Sequence, residues 1–517
     1  MPGGLSSVPV SSLVLAVGLL DFGSVEHAFL VRRPPAVGHQ RLSESIRRLM
    51  GILHILEIED PDHLHHGVGT AEDGAERGRG VGHAVNVKQK HRGLAQAGDQ
   101  PDAGLKRTNL ARRSGDGAFG EDLSKVTWSK FASGLHEPLG MSHKDGWFTF
   151  TQCPDVSQMR DSDGDGRADQ FVTVAAPWGI NGDYHEYAFG TPPDKDGNVW
   201  VVLCLTGSFN ANSPWRGWCF RITPDGKSIP TCSGIRSPGG IGFNMEGDVF
   251  YCDNQGTWNG SSSLKHLKPG GFVGNPNGNK FWEQAPNMGP KPADPKSGSR
   301  IETERKRIPQ LVPTAVWLPH GKLGQSPTGI IPDHTKGAFG PFAGQVLVGE
   351  QTHSQVQRVF LEKINGVYQG AAFPFLGGYR SGIVPLKLAD DGSLFVGTTN
   401  RGWGARGGLP FSFERTRWNG KVPFEIHEMR ITKDGFELTF TEEIDPKTAG
   451  DKASYSMNSW TYVYQSGYGS PEVDKTAQNI ESVTVGADKK SVRLKVANRQ
   501  AGHCHHLKSA GVRSKSG

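Results

Sequence analysis

None of the six cysteines forms a C-x-x-C pair, so neither a tight zinc knuckle nor a covalent haem attachment is encoded. No run of 18 apolar residues occurs, which excludes a membrane-spanning helix. Charge of one sign is not in excess either: 57 basic residues face 52 acidic ones. The densest basic cluster, Arg305-Lys306-Arg307, stands beside Glu302 and Glu304. That mixture is a solvated loop, and it argues against a nucleic-acid partner. Residues 1–120 lack Cys, Trp and Tyr yet hold 8 of the 19 histidines, and they show little periodicity. This stretch reads as disordered, or as an N-terminal extension from a mis-called start. The apolar run from Val8 to Leu20 has no Lys or Arg before it, and Asp21 follows without a small-residue cleavage pattern, so it is not a convincing signal peptide.

What the chain does have is glycine, 70 residues of it, with 33 prolines, 12 Trp and 25 Phe. Such a mixture suits many short strands joined by tight turns. A Gly ahead of an alternating apolar run recurs at one interval: Gly146 before WFTF, Gly197 before NVWVVL, Gly247 before DVFY, Gly344 before QVLVGE and Gly392 before SLFVG. The spacings are 51, 50, 97 and 48, and 97 is close to twice 48. A period of about 50 residues with one turn and one strand per unit is the pattern of a β-propeller blade. Six units fit between residues 121 and 422, with a degraded fourth over 276–325 that carries a Pro- and Lys-rich insertion. From residue 423 the texture changes to hairpins such as SVTVGADKKSVRLKV, which predict a small Ig-like β-sandwich that stops short of a final strand. The fold class is therefore all-β: a six-bladed propeller followed by a sandwich.

The cysteines leave two readings open. Cys204 and Cys219 end and begin adjacent strands, and Cys232 and Cys252 lie on neighbouring ones, so either pair can face across a hairpin. Alternatively all are buried free thiols.

Three segments carry candidate chemistry. Asp161, Asp163, Asp165 and Asp169 stand at positions 1, 3, 5 and 9 of a loop with Gly166 at 6, the way a hard-cation loop presents oxygen ligands. Position 12 is Val172, so this is no EF-hand, and the competing reading is a hairpin whose carboxylates cap their own backbone. Crowded carboxylates repel without a cation, which favours structural calcium. His185 sits at a strand entry between Asp183 and Glu186, placed to act as a base, although a lone His beside acids is more often structural. Arg236, ahead of Ser237-Pro238, and Asn254-Gln255-Gly256, past a strand end, look like blade connections that face a channel, although ordinary turn chemistry produces the same cluster. At the C-terminal end His503-Cys504-His505-His506 alternates along a strand, so only alternate residues, such as His503 and His505, can share an ion; the competing reading is a frayed, exposed end.

His185 before F-G and D-G, then G-x-R-x-P-x-G, then a strand ending in Q-G, resembles the soluble pyrroloquinoline-quinone-dependent glucose and sorbosone dehydrogenases. GDYHEYAFG, CSGIRSPGGIGF, LPHGKLGQSPTGI and TNRGWGARG also resemble large secreted propeller proteins common in planctomycete bacteria. The resemblance implies a six-bladed fold and the oxidation of a sugar or polyol. It places His185 as the base, Arg236 against the carboxylates of the quinone (PQQ), and Gln255 and Gly256 where backbone oxygens hold calcium. Arg380 would be a further contact to the anionic cofactor. Two positions depart from the family pattern: Ser237 stands for an Asn, and Thr257 for a Pro. The resemblance also implies a secreted or periplasmic protein and a separate electron acceptor such as a cytochrome. The alternative is a non-catalytic propeller that binds a glycan or protein partner through Trp-bearing loops, with calcium as a brace.

Overall fold

The computed structural model describes residues 106–108 and 128–517; the expectations for residues 1–120 fall almost wholly outside them. β1 (Lys106–Thr108) pairs antiparallel with β2 (Trp128–Lys130). The first four-stranded meander is β3 (Met141–Lys144), β4 (Trp147–Gln152), β5 (Asp155–Arg160) and β6 (Gln170–Ala175). The second is β7 (Ala188–Gly190), β8 (Val199–Leu203), β9 (Trp218–Ile222) and β10 (Ser228–Ser233). The third begins with β11 (Pro238–Phe243), β12 (Val249–Asp253) and β13 (Ser262–His266). β14 (Gly271–Phe272) then adds to β10 in parallel, and β15 (Thr314–Leu318) returns to complete the third sheet beside β13. The fourth sheet is β16 (Pro327–Pro332), β17 (Val346–Glu350), β18 (Gln355–Ile364) and β19 (Val367–Gly377). The fifth is β20 (Ile383–Leu388), β21 (Leu394–Thr399) and β22 (Phe411–Thr416).

The expected degraded blade over 276–325 is not a sheet. The chain there forms 3-10 turns at Pro276–Gln284 and Pro286–Met288 and a short helix, α1 (Ile301–Arg307), before β15 joins the preceding sheet. The long glycine interval is thus one sheet interrupted by an excursion. Five meander sheets, together with the β1–β2 pair, hold the strands described before residue 417.

Period-2 alternation explains how the sheets stack. In β8, Val199, Val201 and Leu203 face the first sheet, while Trp200 and Val202 face the third. In β12, Val249 and Tyr251 pack toward the second sheet, and Phe250 and Cys252 toward the fourth. Each pair of consecutive sheets therefore encloses its own apolar layer, and such strands are buried on both faces. The first strands lie side by side, and glycine permits it. A Cβ on Gly140 would run into the carbonyl of Gly190, one on Gly240 into that of Thr328, and one on Gly329 into that of Val384. This face-to-face stacking around adjacent first strands is the packing a propeller requires.

Beyond residue 425, β23 (Ile426–Thr432) and β24 (Gly435–Phe440) are followed by a one-turn helix, α2 (Pro446–Ala449). β25 (Ser456–Tyr462), β26 (Glu472–Ala477), β27 (Ile480–Val485), β28 (Ser491–Val496) and β29 (Cys504–Lys508) then form two antiparallel sheets, ordered β23-β24-β28-β27 and β26-β25-β29. Leu438, Phe440, Met457, Val492 and Leu494 share one core between them. All six cysteines are free and five are buried, so of the two readings left open the free thiols hold: Cys219 lies opposite Cys232, not Cys204, and Cys252 belongs to a different sheet from Cys232. Among the described residues no helix is long and apolar enough to cross a membrane.

Candidate functional site

Register decides which residues meet. β7 begins opposite the end of β8 (Ala188 with Leu203), β11 opposite the end of β12 (Pro238 with Asp253), and β16 opposite the end of β17 (Pro327 with Glu350). Segments that precede each first strand therefore share one rim with segments that follow each second strand. His185, Arg236 and Arg380 precede first strands; Gln255 and Gly256 follow a second one.

His185 is held through its backbone, whose N–H donates to Asp183 Oδ1 at 2.8 Å, and its Nδ1 lies 3.7 Å from the same oxygen. The ring of Tyr184 stands edge-on at 5.0 Å, and Trp403, from the loop after β21, lies at 6.5 Å. Burial pushes the imidazole below its ordinary range, the Asp183 charge pulls it back, and the Arg236 charge lowers it further. The balance favours the neutral imidazole, and the side chain keeps 27% exposure. Its neighbour Glu186 is not part of that surface. It is buried, accepts from Asn181 N–H and Thr206 Oγ1, and faces the fully buried Arg216 at 3.9 Å.

Arg236 is almost completely buried. Its Nε donates to Ser208 O at 3.1 Å, and its Nη1 donates to Gln255 O at 2.8 Å. Gly256 lies so close to the guanidinium that a Cβ there would collide with it. The loop between β25 and β26 closes over this cluster: Trp258 N–H donates to Gln465 O, Gly469 N–H to Gly256 O, and Ser470 N–H to Gly260 O. Tyr468 places its ring 5.1 Å from the Arg236 guanidinium, with Phe209 at 5.7 Å.

These contacts decide the fit of a quinone and calcium. The carbonyls of Gln255 and Gly256, the proposed calcium oxygens, already accept from Arg236 and Gly469. The guanidinium is directed at backbone carbonyls and roofed by two rings. Arg236, Gln255 and Gly256 come together as expected, but toward one another, and in this arrangement they do not fit the quinone. Arg380 is exposed, and among the described residues no contact joins it to Arg236 or His185.

The acidic loop lies away from this rim, between β5 and β6. Oxygens of Asp161, Asp163 and Asp165 fall within 4.8 Å of one another. The same carboxylates cap the loop: Asp161 accepts from Gly164 and Gly166 N–H, Asp163 from Asp165 N–H, and Asp165 from Arg167 N–H. Asp169 stands apart and spends both oxygens on Ser162.

The family described as "Domain of unknown function (DUF7133)" matches residues 114–371. No curated protein matches the chain. Among solved structures, the PQQ-bound aldose sugar dehydrogenase of Streptomyces coelicolor is similar at 16% identity over 57% of this chain and 86% of its own, with a TM-score of 0.41. A carbohydrate-active enzyme of family AA12 from Trichoderma reesei matches at 13% identity over 57% and 85%, also with a TM-score of 0.41. The PQQ domain of pyranose dehydrogenase from Coprinopsis cinerea matches at 12% over 56% and 84%, with a TM-score of 0.37.

Sequence reasoning missed three contributors to the rim. Tyr468 is more than 200 positions from Arg236 and carries no local signal. Arg216 lies in an unremarked turn. The pair His136-Glu137 was legible, because it repeats His185-Glu186 at a distance of 49 residues, each ahead of a first strand.

Proposed function

We propose that the chain is a propeller-type protein that binds a sugar or polyol at the mouth formed by Tyr184, His185 and Trp403. The observation that carries this reading is the part-exposed imidazole of His185, held by Asp183 and flanked by two aromatic rings, with burial favouring its neutral form. A neutral imidazole that turns its Nδ1 proton toward Asp183 leaves Nε2 as an acceptor for a hydroxyl. Exposed Trp403 offers an apolar face for the C–H side of a sugar ring. The same geometry is where removal of a hydroxyl proton would begin.

Oxidation is the second reading, favoured by that neutral base. That reaction would need a hydride acceptor, PQQ with calcium in the resemblance, and a separate cytochrome-like protein to take the electrons onward. Arg236, Gln255 and Gly256 are engaged with one another and do not offer the cofactor a site in this arrangement. We further propose structural calcium on the Asp161, Asp163 and Asp165 loop, a sixth blade position begun by β1 and β2, an Ig-like identity for the terminal sheets, and a secreted or periplasmic location.

Calorimetric titration with a panel of aldoses and polyols tests the binding reading. Saturable binding without quinone, weakened at least tenfold by His185→Ala, is expected; no binding by any member rejects it. Sugar-dependent dye reduction after incubation with calcium and PQQ would instead favour the oxidative reading.

A further inference from the structure

The rim of the first sheet holds a second constellation that the sugar site does not use. His136 and Glu137 precede β3 as His185 and Glu186 precede β7, and Cys153 follows β4. Their segments are tied together, because Cys153 N–H donates to His136 O at 2.9 Å and His136 N–H donates to Gln152 Oε1 at 2.9 Å. One donor atom from each of His136, Glu137 and Cys153 falls within 4.8 Å of the others. Glu137 holds a left-handed backbone at φ 50°, which breaks the alternation that would send adjacent side chains to opposite sides.

We propose that His136, Glu137 and Cys153 form a site for a single borderline-soft divalent cation, zinc by its donor set. Nitrogen, oxygen and sulfur in a three-residue set, with a fourth position open to solvent beside exposed His136, is the pattern of a zinc centre that keeps an exchangeable ligand. Bond lengths of roughly 2.0–2.3 Å bring tetrahedral donors to about 3.3–3.8 Å apart, so the three atoms need only a modest contraction. A thiolate and a carboxylate supply two negative charges for two positive ones.

The surroundings supply what the sulfur needs once it loses its proton. Cys153 now donates its thiol hydrogen to Glu186 O at 3.1 Å. Burial pushes the Cys153 thiol up, and the fully buried Arg216, whose Nη2 has no hydrogen-bond partner among the described residues, is the leading positive charge that pulls it back. An orphaned buried donor beside a sulfur is explained if the sulfur serves as a thiolate acceptor. Binding forms the sulfur–metal bond, releases one proton to solvent and moves no electrons. Glu137 gives one oxygen to Arg401 at 3.2 Å, and the exposed Arg401 can swing aside. The all-oxygen Asp161 loop suits hard cations instead, so the two sites differ in metal preference.

Cobalt(II), titrated into the chelator-treated full-length protein, reads the site directly. One equivalent should develop a thiolate-to-cobalt charge-transfer absorption that zinc displaces. Cys153→Ser should abolish that band, and His136→Ala, at an exposed position that folding tolerates, should weaken cobalt binding at least tenfold. Absence of the band in the wild-type protein overturns the proposal. So does a band undiminished in Cys153→Ser, which would place the ion at Cys504 and its neighbouring histidines, or unchanged affinity in His136→Ala.

Discussion

Tyr468, on a loop of the C-terminal sheets, lays its ring 5.1 Å from the guanidinium of Arg236, which precedes the first strand of the third sheet. The terminal domain thereby becomes part of the rim. Because Tyr468 keeps 60% exposure, its cation–π contact is worth only about 0.5–1 kcal/mol. Tyr468→Ala should lower the urea midpoint slightly without changing the m-value, and should make Arg236 more reactive toward a guanidine-specific reagent. Unchanged reactivity would mean that the ring does not shield the site.

Arg216 is the opposite case. It is fully buried and donates to the carbonyls of Gly179, Glu186 and Tyr187 while facing the Glu186 carboxylate. Removing one partner of a buried pair leaves an uncompensated charge and typically costs about 3–5 kcal/mol. Arg216→Met should therefore be among the most damaging single changes in the first two sheets, read as a shift of the chemical-denaturation midpoint. Glu186→Gln, which keeps the hydrogen bonds in part, should cost less.

What the sequence revealed follows from locality. Gly146, Gly197, Gly247, Gly344 and Gly392 all adopt φ between 77° and 91° at hairpin turns, so the 50-residue beat reports a backbone demand that only neighbouring residues set. The excursion over 276–325 defeated the same logic, because β15 returns to β13 across nearly 50 residues and nothing near it marks the partner. The lock on Arg236 was hidden for the same reason. Gly469 and Ser470 meet Gly256 and Gly260 through backbone hydrogen bonds, which leave no trace in residue type. Arg236, Gln255 and Gly256 were legible as neighbours; that they are satisfied by one another was not.

The acidic loop separates capping from ligation. Asp161 caps two backbone N–H groups with or without an ion, so Asp161→Ala should cost stability even in chelator, about 0.5–2 kcal/mol by analogy with other caps. Calcium should raise the melting temperature of the wild-type protein, and Asp163→Asn should abolish that increment while leaving the chelated protein nearly unchanged. No calcium effect would leave the loop as a self-capped hairpin.

Acid stability should reflect His505. Burial pushes its imidazole down to about 4, with its ring 5.2 Å from Phe436. The unfolded chain, with an ordinary value near 6.5, binds this proton first as pH falls. The contribution of neutral His505 is thus fully present above about pH 6.5 and is lost as pH falls through about 4. Melting temperature measured across that window should decline more steeply for the wild-type protein than for His505→Gln.

In the proposed function, neutral His185 receives a sugar hydroxyl at the rim. Its ring nitrogens can be followed by NMR in 15N-labelled protein at pH 7, with His185→Gln identifying the signals. A neutral imidazole is expected, with an Nε2 resonance that shifts saturably as the sugar identified by calorimetry is added. A protonated imidazole at that pH, or a resonance indifferent to saturating ligand, would contradict it.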